Sequence, residues 1–281
     1  MLPRRDPFDA AALLGWLAAR AVPGVEAVEA TTYTRSLGLA HGDAVVAVAL
    51  DGGPLRCRVW LDDERDRDAA QAAVARLLDL DADPEAIDAH LGADALLAPL
   101  VAAHPGLRCP GAVDGAELAV RAVLGQQVSL AAACTLAGRL TAQLGRPLRA
   151  PRGAVTHRFV TPAELLAGDP EALRMPRARA RGLHALARAL ADGDVVLAPG
   201  ADPAAVRAAL LALPGIGPWT ADYVVMRALG APDVFLATDL GVRHALARLP
   251  GGDAGRVGTA SWAPWRSYAT QHLWQALADG R

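Results

Sequence analysis

The chain contains no lysine, since all 28 residues counted as Lys and Arg are arginine. It has only three cysteines, at spacings too wide for a disulfide framework, a four-thiolate zinc site or an all-cysteine iron–sulfur cluster, so we expect them to be small buried residues. No uncharged stretch reaches the roughly 18 residues that a membrane-spanning helix needs, and residues 1–20 show no signal-peptide pattern. These absences predict a cytoplasmic protein with no membrane partner.

The length and the charge distribution indicate two parts with different surfaces. The 281 residues are 53% hydrophobic and 21% charged, which suits about two globular domains. Residues 1–100 hold 9 arginines against 17 acidic residues, a net charge of −8, whereas residues 101–281 hold 19 against 13, a net charge of +6. Such polarity favours a protein that presents its second part to a polyanion, although a drift in surface composition between two domains is the alternative.

Strand patterns are confined to the first 60 residues. After a helix over 9–22, β-branched or alternating apolar residues predict strands at 31–34, 44–50 and 55–61. Beyond residue 66 the patterns are helical. The predicted helices lie near 67–80, 84–90, 93–103, 114–126, 128–144, 162–167, 177–191, 203–211, 218–229, 239–248 and 264–278. Residues 145–161, which contain two prolines and four arginines, are expected to form a mobile surface loop.

A glycine-rich turn between two predicted helices indicates an anion site. In the run Leu213 to Thr220, Gly215 and Gly217 permit a tight turn with positive φ and leave the backbone uncovered, while Ile216 is expected to pack inward. Free N–H groups at the start of the next helix, aided by the helix dipole, favour a phosphate. The pattern is that of a helix-hairpin-helix element that binds a DNA phosphate, with a simple corner between two helices as the alternative.

Asp239 stands where a second helix begins. A carboxylate there is favoured by the helix N-terminus and would stabilise a developing sugar cation in a site shielded from water. An aspartate at a helix start is more often a plain N-cap. Asp239 alone therefore does not identify a reaction.

Seven segments spread over nearly the whole chain form a recognisable combination. In chain order they are residues 18–22 (AARAV), 33–37 (YTRSL), 108–111 (RCPG), 120–129 (VRAVLGQQVS), the hairpin at 213–223, residues 233–236 (DVFL) with Asp239, and 264–269 (PWRSYA). With them the sequence resembles the helix-hairpin-helix DNA glycosylase superfamily, and within it the DNA-3-methyladenine glycosylase II family of alkylation repair.

The resemblance implies an α+β fold that is mostly α: a small N-terminal antiparallel-sheet domain followed by two all-helical domains with the helix-hairpin-helix element. The expected boundaries are 1–90 for the sheet domain and 91–281 for the helical region. The helical region would divide into one subdomain of about 112–230 and a second formed by 91–111 with 231–281.

The resemblance also implies the site. Asp239 matches the family's essential aspartate, and Trp219, Tyr223 and Trp274 match aromatic residues of its base pocket. Aromatic faces suit this role because N-alkylation places positive charge on a purine, which stacking and cation–π terms of about 0.5–2 kcal/mol attract. The neighbouring aromatics Trp262, Trp265 and Tyr268 are instead expected to form the core of the last helix.

The residue at position 219 distinguishes two reaction types, strand cleavage through a Schiff base and hydrolysis by water. Superfamily members that cut the DNA strand carry a lysine at the matching place and attack the sugar as a Schiff base. Here the residue is tryptophan and the chain has no lysine, which predicts a monofunctional enzyme that removes the base with water as nucleophile. The branch with a C-terminal four-cysteine cluster is excluded by the cysteine count.

Two glutamines between predicted helices complete the expected DNA interface. By position Gln127 matches the family's wedge, commonly a leucine, which fills the gap left by an extruded base. Ordinary capping or core amides are the alternative for Gln126 and Gln127. The predicted DNA contacts are Gly215, Ile216, Gly217, Thr220, Gln126 and Gln127, and the backbone carbonyls of Leu211, Leu213 and Ile216 match a monovalent-cation site of the family.

The predicted function is thus a monofunctional DNA glycosylase that removes alkylated purines such as 3-methyladenine and 7-methylguanine. Its partner would be double-stranded DNA containing alkylated bases, and we expect a monomer. No cofactor would be required, and a structural monovalent cation could sit at the hairpin. Three alternatives stay open: a DNA-binding module without catalysis, a glycosylase for oxidised or deaminated bases, and an alanine-rich helical scaffold.

Overall fold

The N-terminal part of the chain is built on a four-stranded antiparallel sheet. The computed structural model describes residues 1–168, 175–250 and 258–280. The strands pair in sequence order, each with the next. They are β1 (Glu26–Glu29), β2 (Thr32–Gly38), β3 (Asp43–Ala49) and β4 (Arg56–Leu61).

The sheet and two helices share one apolar core. Tyr33 lies opposite Val48, and Val46 lies opposite Val59, so that alternate side chains of three strands point the same way. Helices α1 (Ala10–Arg20) and α2 (Arg67–Leu77) contribute residues to this core. The sheet predicted from the sequence is therefore present, and β2 extends four residues beyond its predicted end.

Strand β1 was not predicted, because its sequence Glu-Ala-Val-Glu looks like a solvated segment. In the structure Glu26 is buried, and Arg35 and Arg121 neutralise its carboxylate. A buried glutamate with two arginine partners is compatible with a strand at the domain junction. Arg35 lies on the adjacent strand β2, but Arg121 comes from a distant part of the sequence.

The rest of the described chain is mostly helical, as predicted. Side-chain caps start several helices: Asp114, Ser129 and Asp202 each accept a backbone N–H of the first turn. The further helices are α3 (Pro84–Leu91), α4 (Ala98–Ala103), α5 (Gly115–Leu124), α6 (Leu130–Leu144), α7 (Pro162–Ala167), α8 (Arg177–Asp192), α9 (Pro203–Leu211), α10 (Pro218–Ala228), α11 (Leu240–Arg248) and α12 (Arg266–Ala278).

These helices pack around two apolar clusters. One joins α5, α6, α8, α9 and α10, and the other joins α3, α4, α11 and α12. Trp262 and Tyr268 are buried in the second cluster and Trp265 packs against it, as expected from the sequence. Tyr223 and Val234 pack against both clusters, so they lie where the two groups of helices meet.

The prediction of a mobile loop at 145–161 is wrong. This segment forms a two-stranded hairpin, β5 (Pro147–Arg152) and β6 (Val155–His157), whose Leu148 and Val155 pack on Val45 of the first sheet. The Ser36 hydroxyl donates to the His157 carbonyl at 2.7 Å. The two prolines hid these short strands in the sequence, although proline is compatible with an edge strand.

Two smaller expectations are also corrected. Helix α4 begins at Ala98 and not at residue 93, because the Asp94 carboxylate accepts the N–H groups of Leu96 and Leu97 and holds a turn before it. Of the three cysteines only Cys109 is buried, whereas Cys57 and Cys134 are half-buried. In the described residues we find no helix long and apolar enough to cross a membrane.

Candidate active site and DNA interface

Asp239 caps helix α11, and its carboxylate is fixed by three donors. The backbone N–H of Val242 and the indole Nε1–H of Trp274 both donate to Oδ1 at 2.8 Å, and the indole Nε1–H of Trp219 donates to Oδ2 at 2.9 Å. Asp239 is thus an N-cap, and the same carboxylate also accepts two side-chain hydrogen bonds; its catalytic role stays a prediction. Groups from α10, α11 and α12 orient both of its oxygens.

The aromatic residues predicted to form a pocket do converge beside this carboxylate. Trp219 and Tyr223 stack with ring centroids 5.3 Å apart and planes at 11°, and Trp274 meets Tyr223 edge-on at 6.3 Å. They line a cavity of about 420 Å³ into which Asp239 also faces. This volume lies within the range of small-molecule sites, and its walls present aromatic faces to a flat ring.

The cavity also contains groups from α1 that sequence analysis missed. Trp16 lies 5.3 Å from Trp274, and the guanidinium of Arg20 lies 3.1 Å from the Trp16 ring centroid. Burial, together with the charges of Arg227 and Arg121, lowers the pKa of Arg20 to about 10. The sequence around Trp16 and Arg20 gives no sign that these residues line a cavity with Asp239, which lies more than 200 residues later in the chain.

Arg227 of α10 is a second cation at the cavity. It is 4% exposed and lies 4.8 Å from the Trp16 ring and 5.8 Å from the Tyr223 ring. Its Nε and Nη1 atoms have no hydrogen-bond partner within the described residues. Buried donors of this kind are costly to leave unpaired, so they are available for an acceptor on a bound ligand.

A buried ion-pair network holds α1 against the helical part. The Arg121 guanidinium contacts Glu26 at 3.0 Å and Glu117 at 2.9 Å, and it donates to the backbone carbonyl of Arg20 at 2.6 Å. Burial opposes the charge of Glu26, but Arg121 and Arg35 outweigh it and lower the pKa of that carboxyl. Because breaking a buried pair costs about 3–5 kcal/mol, this network fixes the end of α1 at the cavity.

The hairpin lies between α9 and α10, and its two glycines differ. Gly215 has φ +80°, which favours glycine, whereas Gly217 has φ −93°, so the expected positive φ is wrong for Gly217. A symmetric Gly-x-Gly sequence does not indicate which glycine makes the turn. Ile216 is buried in the core, as expected. Neither glycine N–H has a partner within the described residues, so both are free to bind an anion.

The loop between α5 and α6 is tied to this hairpin. Gln126 donates from Nε2 to the Gly215 carbonyl at 2.9 Å and to Thr220 Oγ1 at 3.0 Å. Gln127 is exposed and has φ +55°, which is uncommon for a residue with a side chain. Gln126 thus holds the loop in place, and Gln127 projects from it with a strained backbone, as found at functional sites.

The carbonyls expected to hold a cation lie at the same hairpin. The Leu213 carbonyl accepts the Ile216 N–H at 3.3 Å, and Leu211 ends α9. Carbonyl oxygens are the ligand type that hard cations take, so the donor set fits in kind, and the cation stays a prediction. Among the described residues no group of three or more His, Cys, Asp or Glu side chains could hold a metal ion.

Gly241 is another residue that the sequence did not single out. A Cβ atom built on it would lie 3.1 Å from Asp239 Oδ1 and 3.3 Å from Trp274 Nε1. The missing side chain therefore lets the indole reach the carboxylate. A glycine two residues after an N-cap aspartate is a signal for such close approach.

Family models match both parts of the chain. Residues 1–114 match the AlkA N-terminal domain, and residues 120–264 match the HhH-GPD superfamily base excision DNA repair protein family.

Two curated relatives match nearly the whole chain. The "Probable bifunctional transcriptional activator/DNA repair enzyme AlkA" of Mycobacterium tuberculosis is 51% identical over 280 residues, or 98% of this chain. This chain spans only 56% of that protein's length. The "DNA-3-methyladenine glycosylase 2" of Escherichia coli (strain K12) is 38% identical over 277 residues, which cover 96% of this chain and 94% of the relative.

A solved structure shares the fold. The 3-methyladenine DNA-glycosylase from Archaeoglobus fulgidus matches with a TM-score of 0.81 at 20% identity, covering 97% of this chain and 96% of that one.

Proposed function

The chain belongs to the HhH-GPD superfamily of base excision DNA repair proteins, in the DNA-3-methyladenine glycosylase family, and we propose that it removes alkylated purines from double-stranded DNA. The expected substrates include 3-methyladenine and 7-methylguanine. Hydrolysis of their N-glycosidic bond would be the first step of base excision repair.

The observation that carries this proposal is the carboxylate of Asp239 at the edge of an aromatic cavity. Two indole N–H groups and one backbone N–H hold it, and the same indole rings are part of the cavity wall. A base held against those rings would place its sugar beside the carboxylate. A non-catalytic DNA-binding module has no use for such an arrangement.

The chemistry follows from this placement. The target nucleotide is extruded from the duplex into the cavity, because its glycosidic bond cannot be reached inside the stack. As the bond breaks, its electron pair leaves with the base, and positive charge develops on the sugar next to Asp239. Water then adds to the sugar and loses a proton, so the products are a free base and an abasic site.

The same residues favour hydrolysis without strand cleavage. Trp219 occupies the position where strand-cutting relatives carry a lysine, and its indole is engaged with Asp239. All the groups named in the cavity come from one chain, so a monomer would suffice. We expect an intact abasic strand that breaks only after alkali or heat, and borohydride should trap no covalent complex with the protein.

The decisive experiment is incubation with methylated duplex DNA, followed by identification of the released bases. Free 3-methyladenine or 7-methylguanine would support the proposal. If no lesion tested releases a base while the duplex is still bound, the chain is a DNA-binding module and the proposal fails.

A second substrate class is favoured by the two arginines. Arg20 and Arg227 place positive charge at the cavity, which works against a cationic base and favours a neutral base with a carbonyl acceptor. A deaminated purine has such a carbonyl. A hypoxanthine duplex belongs in the same release experiment, and we expect Arg227→Leu to reduce release of hypoxanthine more than release of 3-methyladenine.

A further inference from the structure

Helix α8 carries a row of basic residues along its solvent side. The positions are Arg177, Arg181, His184 and Arg188, spaced by four, three and four residues, which is the spacing of one helical face. The three arginines are exposed and His184 is half-buried. The opposite face, including Leu183, is buried in the core. We refer to these four residues as the basic row.

The basic row begins beside both loops of the candidate DNA interface. A Cβ built on Gly182 would lie 3.0 Å from the Pro214 carbonyl oxygen and 3.8 Å from the Gly215 Cα, so α8 crosses directly against the hairpin. One turn earlier, Arg179 donates to the Gln126 carbonyl at 2.5 Å. Helix α8 therefore supports the hairpin and the Gln127 loop together. Pro214 of the hairpin also lines a surface groove with the four residues of the basic row.

Within residues 1–168, 175–250 and 258–280, no acidic side chain neutralises the charges of the row. No ion pair joins Arg177, Arg181 or Arg188 to an acidic side chain of the part of the chain that the structure describes. Many other arginines are paired, including Arg146 with Asp43 and Arg207 with Asp222. Three exposed cations on one face, without an acidic partner among the described residues, lie near free backbone N–H groups and form a surface complementary to a polyanion.

We propose that the basic row binds phosphates of the duplex strand that the hairpin contacts, extending the interface along α8. This inference rests on the proposed function only in that the protein binds duplex DNA. From residue 177 to residue 188 the helix rises about 16 Å, long enough for the three arginines to reach separate phosphates. Such contacts carry no base information, so the row would add affinity for damaged and undamaged DNA alike.

Salt dependence tests the proposal, because each phosphate neutralised contributes about 0.9 to the slope of log K against log salt concentration. The variant is Arg177→Gln/Arg181→Gln/Arg188→Gln, compared with the parent between about 50 and 200 mM salt on a methylated and an undamaged duplex. We expect the slope to fall by roughly 2 or more on both duplexes. The same three positions changed to lysine should keep the parent's slope.

The matched control removes three exposed arginines from the N-terminal part, as Arg58→Gln/Arg65→Gln/Arg67→Gln, and so produces the same change in net charge. It should keep the parent's slope. If the basic-row variant behaves like this control, with both proteins folded by circular dichroism, the row does not bind phosphate and the inference is overturned. That result would leave the proposed function intact, provided the parent still releases methylated bases. A parent that binds no duplex would overturn both.

Discussion

The aromatic cavity and the hairpin surface are neighbours, but their polar groups differ in whether they already have hydrogen-bond partners. In the cavity, both oxygens of Asp239 already have donors from three helices. At the hairpin, the N–H groups of Gly215 and Gly217 have no partner within the described residues. A preorganised carboxylate suits a group that acts on a developing charge, whereas open donors suit a group that waits for a ligand. Changes in the cavity should therefore alter base release, and changes at the hairpin should alter affinity.

The largest expected effect comes from the carboxylate itself. Asp239→Asn keeps the shape of the side chain but removes the charge that we propose stabilises the sugar cation, so base release should fall by a factor on the order of 10²–10³ or more. Binding to lesion DNA should change little. Single-turnover release and equilibrium binding measure the two quantities.

Asp202→Asn is the matched control for this change. Asp202 is also an N-cap aspartate, at the start of α9, and it accepts two backbone N–H groups. It should leave base release unchanged. If the Asp239→Asn variant releases bases near the parent's rate, Asp239 is not part of the mechanism. The claim that cavity residues control base release would then fail.

The next effect separates the two roles of Trp274. Trp274→Phe keeps an aromatic face but removes one hydrogen bond to Asp239, worth about 1.5–3 kcal/mol to a charged group, so the rate of release should fall about 10- to 100-fold. Trp274→Ala also removes the aromatic wall, so lesion binding should weaken as well. Neither variant should alter binding to undamaged duplex. Equal losses on both duplexes would mean that Trp274 supports the fold and not the cavity.

How far these residues could be predicted from the sequence depends on how local their signals are. The cap at Asp239 and the hairpin at 215–217 are encoded within a few residues, and both were located from the sequence alone. Trp16 and Arg20 were missed, because only tertiary packing brings α1 to the cavity.

The errors have the same origin. The hairpin β5–β6 and the strand β1, with its buried Glu26, make contacts with distant segments, which the local pattern of prolines, arginines and glutamates does not show. The Gly-x-Gly pattern also does not show that Gly215 has the positive φ and packs against α8, a helix more than 20 residues earlier in the chain. The order of strands and helices followed from periodicity, and the fold class followed from the family resemblance, whereas neither predicted the pairing of buried charges.

A smaller effect is expected at the hairpin, where the two glycines serve as controls for each other. Gly217 has an ordinary φ, and a Cβ there would meet no atom within 4 Å, so Gly217→Ala should fold normally. If its N–H binds a phosphate, the added methyl should weaken binding to lesion and undamaged duplex by about three- to tenfold each, the loss of roughly one charge-assisted hydrogen bond.

Gly215→Ala should reduce stability in addition. A side chain at φ +80° costs about 1–2 kcal/mol, which urea unfolding would detect. Binding measured at one fixed salt concentration compares the two variants. If the Gly217→Ala variant binds both duplexes as the parent does, the hairpin is only a corner between helices. Its N–H groups then do not bind phosphate, and the contrast with the cavity fails.

The smallest expected effect is a pH dependence of the free energy of unfolding, and it arises at the helices beside the cavity. His104 joins the two helices that supply Trp16 and Trp274, because its Nδ1 contacts Asp9 at 2.7 Å and its Nε2 contacts Asp279 at 2.8 Å. Burial disfavours its charge, but the hydrogen bonds with the two carboxylates outweigh burial and raise its pKa.

The raised pKa fixes the sign of the expected effect. The stabilisation that protonated His104 provides is complete below the ordinary histidine pKa of about 6.5. It is lost as pH rises through the pKa of His104 in the folded protein. His104→Asn should therefore cost a few tenths to about 1 kcal/mol at pH 5.5 and less at pH 8.5. His272 acts in the opposite direction: burial and the charge of His104 lower its pKa to about 4, so the folded protein loses stability as pH falls. Because His104→Asn removes that charge, it also relieves part of the His272 penalty, which makes the cost measured at pH 5.5 a lower bound. Urea unfolding of parent and variant at both pH values gives the two differences, and a difference that does not shrink at pH 8.5 would show that His104 does not link the helices through its charge.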